Sequence, residues 1–159
     1  MIIAAATLGL FAGLWPFGDE IETQRYRPAP GWTLIIERDR FNGSVRCHAF
    51  TRDITYESGV LTVHFGSRTN TALAEYRLGA GAVRPAADHV LEAAGLGASF
   101  RSRDLANPSG GRVHLPIDVV GDAQSLDVRP NPDRQARQYS LVGLDAVRAE
   151  AQAQGCSGA

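Results

Sequence analysis

Lysine is missing from this chain. All sixteen basic residues are arginine, they face seventeen acidic ones, and the formal net charge is -1. Without a basic excess there is no overall field to draw the protein to nucleic acid or to an acidic membrane surface. Lysine is absent everywhere, not from one patch. Codon usage therefore explains the bias better than a surface built for the planar forks that arginine offers to carboxylate or phosphate. Cysteine is nearly missing as well, present only as Cys47 and Cys156. There is no C-x-x-C pair and no His–Cys run at zinc spacing, which argues against a zinc module. No G-x-S-x-G elbow supports a nucleophilic serine. Asn107 to Arg112 (NPSGGR) holds two glycines, but it lacks the lysine and the length of a phosphate loop and reads as a turn. No catalytic residue, metal ligand or cofactor is assigned.

Charge is also missing from the start of the chain. No charged side chain occurs before Asp19, and Ile2 to Leu14 is an apolar run ended by Trp15, Pro16 and Gly18. Residues 1–18 read as a signal peptide or a short N-terminal membrane anchor, although no Lys or Arg precedes the apolar run. Residues 19–30 are polar, carry Pro28 and Pro30, and read as a linker. A single domain is expected over residues 31–159, a length that suffices for a real core. Export fits the cysteine usage. In an oxidising compartment an even count, far apart in sequence, suggests one structural bridge, Cys47 to Cys156.

The domain shows short runs with a period of two. Trp32 to Arg38 is a strand, Asn42-Gly43 a hairpin signal, and Ser44 to Phe50 the return strand. Its alternation turns Val45, Cys47 and Ala49 inward and Arg46 and His48 outward. Val60 to Phe65 puts Leu61, Val63 and Phe65 in the core and Thr62 and His64 outside. Residues 53–59 read as a connection with some extended structure at Thr55 and Tyr56, and 72–78 as an alternating strand. Arg112 to Ile117 places His114 and Arg112 outward, with Pro116 marking an edge. Ser125 to Arg129 alternates again. A short helix is expected over 86–94, burying Val90, Leu91 and Ala94, and residues 98–109 read as irregular. The tail, from Tyr139 to Cys156, reads as a strand and then a helix with an apolar stripe at Leu144, Val147 and Ala151, stopped by Gly155. Strands in hairpin succession with few helices predict a mainly β fold, an antiparallel sandwich or open barrel. A short helix and a C-terminal helix would pack on it.

The outward strand positions form a candidate ligand face of Arg46, His48, His64, Arg77, Arg112 and His114, joined by Arg129, Glu75 and Asp127. Such a face suits an anionic ligand or a protein partner. If neighbouring strands brought His48, His64 and His114 together, they would suit a metal; unrelated exposed histidines are the plainer reading. His89 lies apart, beside Asp88 on the short helix.

Trp32 opening an early strand, Cys47 in the next one, and Leu141-Val142-Gly143-Leu144 followed by Ala146, Ala149 and Ala151 give the chain a resemblance. It resembles small exported β-rich proteins of alphaproteobacteria, of the invasion-associated locus B-like type. It departs from them in lacking cysteines soon after Trp32 and in the middle of the chain. The resemblance implies a β-rich fold and a periplasmic location, and it carries no functional residue. The leading expectation is an exported binding or structural module, periplasmic or tethered through Ile2 to Leu14. An accessory subunit of an inner-membrane complex comes second. A small hydrolase or metal-dependent enzyme built on the histidine face comes third.

Overall fold

The computed structural model describes residues 20–98 and 110–156. The apolar leader and nearly all of the stretch expected to be irregular lie outside these. The elements in chain order are β1 (Ile21–Tyr26), β2 (Thr33–Asp39), β3 (Val45–Phe50), β4 (Ile54–Glu57), β5 (Val60–His64), β6 (Glu75–Leu78) and β7 (Arg84–Pro85). A 3-10 turn (Ala86–His89) leads into α1 (Val90–Gly95). Then come β8 (Arg112–Pro116), α2 (Ile117–Val120), β9 (Ser125–Arg129), β10 (Arg137–Ser140) and α3 (Leu144–Ala153). Two antiparallel sheets result, ordered β1-β2-β3-β4-β5-β8 and β10-β9-β6-β7. The architecture is mainly β, with two sheets that do not close into a barrel.

Period-two alternation builds the core. Leu34 and Ile36 of β2, Ala49 of β3, Ile54 and Tyr56 of β4, and Leu61 and Val63 of β5 point to one side. They meet Tyr76, Leu126, Val128 and Tyr139 of the smaller sheet in one continuous cluster. Phe65 and Tyr139 touch edge to face, with ring centroids 6.4 Å apart. Fully burying each large apolar side chain contributes about 1.5–3 kcal/mol.

The tail helix completes this core and is locked there. Leu144, Val147 and Ala151 of α3 are buried, so the expected stripe is the packed face. The helix ends in a Schellman motif: Cys156 N donates to Ala151 O and Gly155 N to Gln152 O, both at 3.0 Å. That turn delivers Cys156 to Cys47, and the two are disulfide-bonded across a sequence separation of 109. In the chain-entropy account, closing a loop of this size stabilises the fold by about 4–5 kcal/mol. Arg38 adds a clamp, donating to Gln154 O at 3.0 Å. The start of α3 is fixed by Trp32, whose Nε1 donates to Val142 O at 3.0 Å. Only glycine fits at 143: φ is 89°, and a Cβ there would lie 2.4 Å from Ala29 Cβ.

The structure corrects several sequence expectations. The supposed linker carries β1, paired residue for residue with β2 from Ile21↔Asp39 to Tyr26↔Leu34. The domain therefore includes residues before 31. An edge strand needs little apolar content, because only one of its sides is paired and its faces are half-covered. Residues 54–57 form β4, joined to β5 by a two-residue turn at Ser58 and Gly59, both with positive φ. The strand expected over 72–78 is regular only from Glu75, and Ile117 starts a helical turn after β8. Pro116 does lie on an edge strand, as its missing N–H requires. The short helix buries Ala86 and Ala93, whereas Val90, Leu91 and Ala94 are exposed. The 3-10 turn shifts the helical phase, and small side chains let the segment lie close against β8.

Candidate functional site

The far side of the larger sheet is not open over its whole width. On β5 both faces are covered: Val60, Leu61, Thr62 and Val63 are all buried. Over β4, β5 and β8 lies a cavity of about 320 Å³. Its floor is Thr55, Thr62, His64 and His114, and Leu96, Gly97 and Ala98, just after α1, line it from the other side. Glu57 and Ser58 lie at the end formed by the β4–β5 turn, and Arg112 at the end of His64.

Strand register explains the arrangement. Thr55 pairs with Thr62 and Thr62 with His114, so three polar side chains form one row across β4, β5 and β8. The next row sets His64 opposite Arg112. Thr62 Oγ1 lies 3.0 Å from His114 Nδ1, and Thr55 Oγ1 lies 2.9 Å from His64 Nε2. A hydroxyl can donate or accept, so each threonine holds its imidazole in place whichever tautomer is present. Burial holds the pKa of His64 below the ordinary histidine value; the Arg112 guanidinium lowers it further, and Asp53 opposes them. Both effects favour the neutral imidazole of His64 beside a fixed cation. Arg112 is exposed at the mouth and pairs with no carboxylate among the described residues.

The segment that walls the cavity is anchored to the smaller sheet. Tyr76 of β6 is buried, and its hydroxyl lies 2.8 Å from His89 Nε2 in the 3-10 turn. Their rings meet edge to face with centroids 5.7 Å apart. Burial pushes the Tyr76 hydroxyl pKa up, with Arg84 pulling it down. This contact fixes the start of the segment whose far end lines the cavity.

The expected ligand face is thus divided. His64, His114 and Arg112 come together. Arg46 is exposed on β3 opposite Glu37, and His48, also on β3, stacks on Phe50 with centroids 6.1 Å apart. β4 separates His48 from β5, so His48 stands at least two strand spacings, about 10 Å, from His64. Among the described residues no three His, Cys, Asp or Glu side chains gather as a metal would require, which corrects the idea of a three-histidine site. Arg77 and Arg129 belong to the smaller sheet, where cross-strand pairing sets Arg77 against Asp127 and Arg129 against Glu75. Their charges are used there. His114 was expected outside and is buried, 7 % exposed, because a second layer covers that face of β8.

Thr55, Thr62 and Glu57 were missed as site residues. The alternation of Thr62 with Leu61 and Val63 places it on the histidine side; its pairing with His114 depends on a register of strands 52 residues apart. Comparisons with protein-family models, with curated proteins and with solved structures find no match to this chain. No helix among the described residues is long and apolar enough to cross a membrane.

Proposed function

We propose that this protein is an exported binding module that holds a small anion in the cavity over β4, β5 and β8. One observation carries the reading. A cavity of about 320 Å³ joins two imidazoles, each oriented by a threonine, to an arginine with no carboxylate partner among the described residues. A guanidinium beside fixed hydrogen-bonding groups suits a carboxylate or phosphate oxygen. The cavity volume lies at the small end of the range that ligand sites occupy.

Export is part of the same reading. The Cys47–Cys156 bond suits an oxidising compartment, and the apolar start of the chain reads as a leader. The resemblance to exported β-rich proteins points the same way. We place the module in the periplasm, free or tethered at its N-terminus.

Calorimetric titration with acetate, comparing the protein with its Arg112→Gln variant, tests the binding role. Saturable binding weakened about tenfold or more in the variant is expected, the loss of one charge-assisted contact. Equal binding by both proteins, or none by either, would contradict it.

A further inference from the structure

Two opposite charges line the cavity, and neither is paired among the described residues. Glu57 and Arg112 both border it, and neither forms an ion pair or a side-chain hydrogen bond among the described residues. They cannot pair with each other, because the register sets them at opposite corners. Glu57 is opposite Val60, Arg112 is opposite His64, and β5 lies between their strands. Four residues along β5 amount to roughly 13 Å, and two strand spacings to roughly 10 Å, so the two Cα atoms lie roughly 16 Å apart. The side chains of Glu57 and Arg112 shorten that span from both ends. The gap left suits two or three extended residues, at about 3.4 Å each.

The floor between the two charges carries groups that pair with amides. Thr55, Thr62 and His64 offer hydroxyl and imidazole positions along the line from Glu57 to Arg112. His64 spends its Nε2 on Thr55, and the register sets its residue opposite Arg112. A carboxylate at the Arg112 end therefore meets a planar fork and an imidazole together. An ammonium at the Glu57 end meets a carboxylate on the β4–β5 turn. A dianion with both charges at its ends would meet repulsion from Glu57, which acts against it as a selective element. A free amino acid, with its two charges adjacent, reaches only one end.

We infer that the cavity takes a short zwitterionic peptide of two to three residues with free termini, its carboxylate at Arg112 and its ammonium at Glu57. This rests on the binding role proposed above for the same cavity. Glycine peptides are the simplest probes, since they carry the two terminal charges and the amides alone.

The test is calorimetry on the disulfide-bonded protein with triglycine, N-acetyl-triglycine, glycine and acetate, repeated with Glu57→Gln and Arg112→Gln. Triglycine should bind about tenfold or more tightly than its acetylated form, than glycine and than acetate, one charge contact being at stake. Glu57→Gln should bring triglycine down to the level of the acetylated peptide, and Arg112→Gln should weaken both peptides. Equal binding of the two peptides to the unaltered protein, or of triglycine to the protein and its Glu57→Gln variant, overturns the inference. In either case, acetate binding that depends on Arg112 leaves the anion site standing. Failure of every probe, acetate included, overturns both.

Discussion

His64 is the residue at which charge, burial and the cavity meet. Its folded pKa lies below the ordinary value, first because of burial and then because of Arg112. The sign of the consequence follows from proton counting. As pH falls through the unfolded histidine value, about 6.5, the unfolded chain takes up a proton that the folded chain refuses. Stability is therefore lost on acidification from there down to the folded pKa, and above that window His64 contributes no pH dependence. Replacing it by an uncharged side chain, His64→Gln, should flatten the dependence of urea-unfolding stability on pH below about 6.5. An unchanged slope would mean that another group carries it. An anion held at Arg112 would offset the cation and raise the His64 pKa, so binding should draw in protons within the same window.

Single residues were legible unevenly in the sequence. The alternation around Cys47 shows it facing inward, and the Cys47–Cys156 bond follows that geometry. The same alternation puts His64 and His114 on one side. It says nothing of which strands adjoin, so His48 looked equivalent to them. Register alone separates His48, opposite Ile35 and Glu57, from the Thr62–His114 pair.

Among the elements, the 3-10 turn and α1 form the wall on which the cavity depends. Little apolar burial holds them: Ala86 and Ala93 are buried, whereas Leu91 is 88 % exposed. The Tyr76–His89 contact, at 2.8 Å, is the polar anchor. Removing the hydroxyl with Tyr76→Phe should cost about 1 kcal/mol and free the segment locally. Hydrogen exchange should then accelerate at amides in residues 90–98 while those of β5 stay protected. Equal acceleration in both would show that the anchor holds the whole fold and not this wall. The tail helix was readable because its stripe, its glycine stop and its cysteine all agree. β1 was not, because an edge strand with polar residues on both faces has no period to find. β4, only four residues long, was legible only as extended structure at Thr55 and Tyr56, and the wall helix was legible but its buried face was not, because its 3-10 turn shifts the phase.

For the whole molecule, the disulfide and the cavity divide the larger sheet between them. One face is packed under α3 and the smaller sheet, and Cys47–Cys156 closes it. The opposite face is partly roofed by a lightly anchored segment and carries the Arg112 charge. The smaller sheet pairs four of its outward charges, as Arg77–Asp127 and Arg129–Glu75. A mainly antiparallel β fold could be foreseen from strand succession. Strand succession left a sandwich and an open barrel both open; which strands share each sheet is set by long-range pairings such as β5 with β8 and β6 with β9. The four histidines make that division measurable. Two, His64 and His114, line the cavity; His48 and His89 lie elsewhere. Imidazole resonances followed by NMR during acetate titration therefore test the anion site most directly. Saturable shifts at His64 and His114 are expected, with little change at His48 and His89, and loss of the effect in Arg112→Gln. Shifts of similar size at all four histidines, or none at His64 and His114, would contradict it.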